Sequence, residues 1–262
     1  MLYRDARDPA GLTAMAATPA WPPKSAPRLF VGAILSAGLL HEIDGQQAHY
    51  LSRVMRVKPG DGVILCDDRT GEWAARVTEA DKRNVTVELV EQLRPRESVP
   101  PLTLCAALLK KPRFDLVLEK ATELGVARIQ PVITRRCVAD ALNMDRARQI
   151  VTEAAEQCAR TALPAIAEPV TLNAMLDGWD DTALFFADES RDAPPAAAAF
   201  SATPPPAALL IGPEGGFDDA EREAIRAHPS ARPIALGPRI LRGETAAIAA
   251  MALWMGIAGD WR

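Results

Sequence analysis

Histidine is scarce in this chain, with only His41, His49 and His228 among 262 residues. So few and so scattered, they argue against a histidine-centred hydrolytic triad. Cysteine is nearly as rare. Cys66, Cys105, Cys137 and Cys158 form no Cys-x-x-Cys pair and no Cys/His cluster, which excludes a zinc ribbon or finger. They are expected to be buried, reduced thiols. No apolar run approaches the ~20 residues of a membrane span. The first residues lack the apolar core of a secretory segment, and Asp5 and Asp8 do not suit a transit peptide. These absences predict a cytoplasmic protein that uses no metal. The dinucleotide fingerprint G-x-G-x-x-G and the P-loop are missing too, which argues against a nicotinamide-dependent dehydrogenase or a nucleotide triphosphatase.

The residues that are present describe a soluble globular chain, 48% hydrophobic and 24% charged, with a net charge of −4. That average hides an asymmetry. Residues 24–113 hold 14 Lys/Arg against 11 Asp/Glu, and the remainder is acidic. A nucleic-acid footprint is therefore expected in the first half or at its junction with the second. Residues 1–27, rich in Ala and Pro, read as a poorly ordered extension. From 28 to 95 the pattern is mostly β, with alternation at Val85, Val87 and Leu89. A helix is predicted over 46–57, with Tyr50, Leu51, Val54 and Val57 inward and Arg53 and Arg56 nearby. These features suit either a basic RNA platform or a solvated helix face. After a Pro-rich linker near 93–101, residues 96–262 alternate strand and helix, which implies a parallel sheet covered on both faces. The Ala/Pro-rich stretch 194–206 reads as an exposed loop. A helix over 145–160 should turn Ile150, Val151, Ala154, Ala155 and Cys158 inward.

Two glycine corners dominate the last third. Each short apolar run ends in Gly-Pro, Gly212-Pro213 and Gly237-Pro238, and a further glycine follows before a helix begins. Glycine permits positive φ and close approach of a ligand. Paired corners at the carboxyl ends of neighbouring parallel strands would form the crevice where open α/β sheets bind ligands.

The stretch Ile211-Gly-Pro-Glu-Gly-Gly-Phe217, followed by Leu236-Gly-Pro-Arg-Ile-Leu-Arg-Gly-Glu-Thr-Ala246, resembles the signature of SPOUT-class RNA methyltransferases. Within that class the chain is similar to the ribosomal small-subunit methyltransferase E family from about Arg28 to Ala258. His49-Tyr-Leu-Ser-Arg-Val-Met-Arg-Val-Lys-Pro-Gly-Asp61, the segment from Lys111 to Gly125, Pro131-Val-Ile-Thr-Arg-Arg-Cys137 and Glu153-Ala-Ala-Glu-Gln-Cys-Ala-Arg160 extend the likeness. The chain departs from the family pattern at Gly243, where threonine is usual, and at Thr134 and Arg135, where serine and glutamate are common.

The resemblance implies a PUA-like β-barrel over 28–95 and a trefoil-knotted SPOUT domain over 96–262. It further implies S-adenosylmethionine (AdoMet) as methyl donor, N3 of a uridine in 16S rRNA of the small ribosomal subunit as acceptor, and a homodimer. Helix 245–257, with Ile248, Met251, Ala252 and Met255, is the candidate interface, although core packing would give the same stripe. Arg28, Arg53, Arg56 and Lys58 are the expected phosphate contacts. Leu210, Gly212, Gly216, Ile234, Leu236, Gly237, Leu241, Gly243 and Thr245 are the expected cofactor contacts, with Gly243 also a helix N-cap. A uridine N3 is protonated near neutral pH, so the site must favour its anion. Arg113, Arg160 and Arg242 are candidates for holding that charge, and Glu214 or Glu244 for taking the proton. Glu244 would equally suit the helix dipole, and Arg160 would equally cap a helix end. A SPOUT enzyme acting on tRNA or another rRNA position remains open, as does a non-catalytic RNA-binding or assembly factor.

Overall fold

The computed structural model describes residues 21–23, 25–188 and 193–261, so most of the expected extension lies outside the described residues. Its last part packs on the first domain. The Arg76 guanidinium lies 4.9 Å from the centre of the Trp21 ring, and a Cβ on Gly62 would come within 2.8 Å of Pro22.

The first domain is a five-stranded sheet in the order β1-β3-β4-β5-β2. Its strands are β1 (Arg28–Phe30), β2 (Leu40–Ile43), β3 (Gly62–Cys66), β4 (Gly71–Ala80) and β5 (Val85–Pro95). The alternation in β5 is observed: Val85, Val87 and Leu89 are buried with Leu51, Leu65 and Val77, while Glu88 faces solvent. The 46–57 helix is corrected. It winds as a short α-helix, α1 (Gly45–His49), and then as a π-helical turn over Tyr50–Met55. The Arg56 N–H reaches back to the Leu51 carbonyl, and Arg56 takes a left-handed φ of 55°. The wider winding changes the angle per residue, so the 3.6-residue stripe fails. Leu51 stays inside, but Val54 is 63% exposed.

The second domain is a seven-stranded, all-parallel sheet. β6 (Leu102–Ala107), β7 (Arg128–Ile133), β8 (Ala165–Ile166), β10 (Ala183–Ala187), β11 (Ala207–Ile211) and β12 (Ala231–Ile234) run in the order β12-β10-β11-β6-β7-β8, and β9 (Val170–Thr171) also pairs with β7. These strands read as apolar runs because both faces are covered. Leu104, Phe185 and Leu209 point into a core with Phe114, Met251 and Trp254. Their neighbours Cys105, Phe186 and Leu210 point the other way, toward Met175 and Ile225. The first core carries α2 (Lys111–Glu123), α3 (Met144–Cys158), α5 (Ala196–Ser201) and α7 (Gly243–Ile257); the second carries α4 (Leu172–Asp177) and α6 (Asp219–Ala227).

Three further expectations are corrected. Residues 194–206 are not simply a loop: alanine-rich α5 forms, and Phe200 meets Phe185 edge to face at 4.9 Å. On α7, Met251 and Met255 are fully buried in the core, whereas Ile248 and Ala252 lie nearer the surface and Leu253 is exposed. Cys66 and Cys105 are buried thiols, which burial pushes up to about 11 and about 12. Cys158, predicted inward, is exposed, and Cys137 is half-buried.

Hydrogen bonds staple the two domains together. Glu156 Oε1 accepts from the Phe30 N–H at 2.8 Å, Asp68 Oδ1 from the Leu163 N–H at 2.9 Å, and the Ala159 carbonyl from Arg94 at 2.7 Å.

Candidate active site

The two glycine corners meet, although β11 and β12 are not the neighbouring strands expected, because β10 lies between them. A cavity of about 210 Å³ opens at the carboxyl ends of β10, β11 and β12. Gly212, Gly216 and Phe217 line it after β11, residues 235–241 after β12, Gly243 and Ala246 from α7, Asp188 after β10, and Arg222 from α6. Glycine is required here for two different reasons. Gly216 and Gly237 have φ of +66° and +105°. Gly212 instead packs under the Phe217 ring, where a Cβ would lie 3.1 Å from the ring edge. Among the described residues, none of the backbone N–H or C=O groups of residues 236–241 enters a backbone hydrogen bond. Backbone polar groups left open beside a cavity are ready for a ligand's polar edge.

Of the expected cofactor contacts, Gly212, Gly216, Ile234, Leu236, Gly237, Leu241 and Gly243 line this cavity. Leu210 does not: its side chain faces the opposite core, and its backbone lies inside β11, flanked by β10 and β6. Thr245 is exposed on α7 and lies outside the cavity lining. Gly243 is the first residue of α7 and Arg242 the N-cap, one position earlier than expected. A Cβ on Gly243 would sit 3.1 Å from Leu109 and 3.2 Å from the Gly212 carbonyl. This chain's glycine therefore lets α7 approach the first corner closely.

A second loop braces the corner after β11. Arg136 donates to the Gly215 carbonyl at 2.8 Å, and the Arg135 N–H to Glu221 Oε1 at 2.7 Å. Asp218 and Glu221 form a complete capping box at the start of α6. The Glu221 N–H, with Arg135 beside it at 3.1 Å, holds the Asp218 carboxyl below its usual range. Arg135, in a position where the family commonly has glutamate, thus pairs with an acid.

Three of the candidate catalytic residues converge. Arg113, in the first turn of α2, places Nη1 2.9 Å from Glu214 Oε1 and Nε 3.7 Å from Glu244 Oε1. Glu244 is buried, and its Oε2 has no hydrogen-bond partner. An acceptor left open beside a cationic group is costly unless something fills it. Arg242 is exposed at the start of α7.

Arg160 is corrected. It is buried well away from the cavity, paired with Glu97 at 3.1 Å and donating to the carbonyls of Thr122 and Val126 at 2.8 and 3.2 Å. It satisfies the carboxyl end of α2, the alternative role that its position allowed. Arg28 is corrected likewise. Its guanidinium is engaged by Glu72 at 2.6 and 3.1 Å and is not free for phosphate.

Arg53, Arg56 and Lys58 are exposed around the π-turn. Each alanine substitution there is expected to weaken RNA binding and to flatten the slope of log K against log salt by roughly one. Arg28→Ala should instead lower the melting temperature with the slope unchanged. Fluorescence anisotropy with an RNA fragment across a salt series checks both.

Sequence reasoning missed Asp188, Arg222, Phe217 and Arg239 at the cavity. Asp188 could have been found from its place just beyond a strand's carboxyl end. Nothing local distinguishes Arg222 from a solvated helix residue.

Among the described residues there is no cluster able to hold a metal ion and no helix long and apolar enough to cross a membrane. Residues 95–255 match the RNA methyltransferase domain family, and residues 43–90 match the RNA methyltransferase PUA domain family. The ribosomal RNA small subunit methyltransferase E of Rickettsia conorii is 32% identical over 86% of this chain and 93% of its own length. The protein of that name from Synechocystis is 34% identical over 79% and 69%. Among solved structures, the Neisseria gonorrhoeae ribosomal RNA small subunit methyltransferase E bound to S-adenosyl methionine superposes with a TM-score of 0.82. It is 29% identical, covering 90% of this chain and all of that one. With a SPOUT-type parallel sheet behind a PUA-like domain, and with these relatives aligned along most of its length, the chain belongs to the ribosomal RNA small subunit methyltransferase E family.

Proposed function

We propose that this protein methylates N3 of a uridine in 16S rRNA of the small ribosomal subunit, with AdoMet as donor. The observation that carries this reading is the placement of Arg113, Glu214 and Glu244 together beside a cavity edged by open backbone groups. The cavity fits the donor. Its glycine corners allow an adenosine to approach the main chain, and the unpaired groups of residues 236–241 can bond adenine and ribose edges. When bound, AdoMet supplies an electrophilic methyl group on a positively charged sulfur.

The chain's own residues prepare the acceptor. Glu214, the more exposed of the two carboxylates, or Glu244 takes the N3 proton, and Arg113 holds the negative charge that then spreads onto O2 and O4 of the base. The other carboxylate steadies the Arg113 fork. Arg242, exposed at the start of α7, is placed to meet the incoming RNA. Arg53, Arg56 and Lys58 offer phosphate contacts that position the RNA without reading its sequence, and the binding they provide offsets the few kcal/mol needed to turn a base out of its stack. A homodimer formed through the outer strip of α7, at Ile248, Ala252 and Leu253, would complete the site from a second subunit. Such a protein works in the cytoplasm, where ribosomes are assembled.

The test compares rRNA nucleosides by mass spectrometry in cells with and without the gene. Loss of one 3-methyluridine from 16S rRNA, restored by wild type but not by Arg113→Ala, is the expected result. An unchanged 16S profile with a missing tRNA methylation would overturn the assignment of substrate.

A further inference from the structure

AdoMet is larger than its adenosine half. It ends in an amino acid, and the carboxylate of that tail needs a cation once it leaves water. The charged side chains on the cavity wall are Asp188, Arg222 and Arg239. Asp188 is already paired, its carboxylate bonded to Arg226 and its side chain 1% exposed. Arg239 is exposed on the outer loop. Arg222 is different. It sits on α6 facing the cavity, with 29% of its side chain exposed, and its contacts are weak. It reaches the Phe217 carbonyl only at 3.5 Å and Asp219, itself fully exposed, only at 3.9 Å. Both lie at or beyond the limit of a working hydrogen bond. A guanidinium held this loosely on a cavity wall keeps donors in hand, and its forked geometry matches a carboxylate.

We propose that Arg222 is the anchor for the carboxylate of the AdoMet amino-acid tail, and so selects donors that carry the whole methionine moiety over truncated adenosines. This rests on the reading of the cavity as the AdoMet site and adds the group that fixes which end of the ligand goes where. Tail and adenosine then occupy different parts of one cavity. The backbone of residues 236–241 recognises the adenosine, and α6 recognises the acid. The adenosine contacts leave the tail free to rotate. Arg222 would hold it and so limit the positions open to the sulfonium. A charge-assisted, forked contact of this kind accounts for roughly a 10- to 100-fold difference in affinity.

Calorimetry on the full chain with three ligands tests the assignment: AdoMet, S-adenosylhomocysteine and methylthioadenosine, the last of which lacks the amino-acid tail. Arg222→Ala is expected to weaken the first two about 10- to 100-fold and to leave methylthioadenosine within about twofold. Arg222→Lys should recover part of the loss, because the charge remains without the fork. Arg239→Ala should leave the ratio of the three affinities as in wild type. If Arg222→Ala weakens all three ligands equally, Arg222 merely supports the Phe217 loop and the proposal fails. It fails also if none weakens, or if Arg239→Ala alone shows the selective loss. Should wild type bind none of the three, the AdoMet reading itself falls, an outcome separate from the others.

Discussion

Alanine at Arg113 is expected to lower kcat for methyl transfer about 100- to 1,000-fold while the Kd for AdoMet stays within about twofold. Two observations separate these parameters. Arg113 is not on the cavity wall, so the donor does not need it. It is the cation between Glu214 and Glu244, where the proposed mechanism puts the anion of the acceptor base. An interaction made only as charge develops lowers kcat and kcat/KM together. Arg113→Lys keeps the charge but cannot span two carboxylates in one plane, and should recover only a small part of the rate. Single-turnover assays with small subunits lacking the modification measure the effect. Loss of a donor that stabilises developing charge typically costs about 100-fold or more. A decrease of less than about fivefold, well short of that, would remove Arg113 from the chemistry and leave it as a tether for the glycine loop.

Removing the Glu72 carboxylate should give the largest loss of stability, about 3–5 kcal/mol for Glu72→Ala. Glu72 is 4% exposed and serves two arginines, Arg28 from β1 and Arg94 from β5. Arg94 in turn holds the Ala159 carbonyl of the second domain. Alanine would strand two cations at the domain junction, Arg28 the more deeply buried. The pH dependence follows from the same contacts. Burial opposes charge on Glu72, but the Arg28 and Arg94 hydrogen bonds outweigh it and hold the carboxyl below its usual range. A depressed folded value means stability that is complete above the unfolded glutamate's value of about 4.3 and lost as pH falls through the folded value. Urea melts should therefore show a constant gap between wild type and Glu72→Gln from pH 7 to about 5, closing below about 4. A gap that grows on acidification would refute this account.

Glu156 acts in the opposite sense across the same junction. Burial pushes its carboxyl up despite the hydrogen bond from the Phe30 N–H. Its contribution strengthens as pH falls through that raised value toward the unfolded one, so it partly masks the acid sensitivity that Glu72 confers.

The contrast between these residues and the glycine corners shows what could be read from the chain. Gly212-Pro213 and Gly237-Pro238 announce themselves because a positive φ, or a Cβ that would strike a ring, is a demand met within a few residues. The same holds for the Asp218–Glu221 box, whose two hydrogen bonds join residues three apart. Arg28 and Arg160 carry equally familiar residue types in equally suggestive places, yet both turned inward. Their partners, Glu72 and Glu97, lie 44 and 63 positions away. Val54 misled for a different reason. Its exposure depends on a π-turn, and an apolar stripe counts residues without revealing how tightly the backbone winds.

The sequence alone determined the alternation of strand and helix after residue 96 in outline, the two glycine corners, the Asp218–Glu221 cap and the likeness to a methyltransferase family, since each rests on spacing within a short window or on a long motif. Tertiary structure decided which arginines are structural and which stand beside the cavity, and it placed Asp188 and Arg222 on the wall. The physical reason is reach: a long charged side chain is settled by whichever carboxylate or carbonyl the fold brings within about 3 Å, and that neighbour is usually distant along the chain.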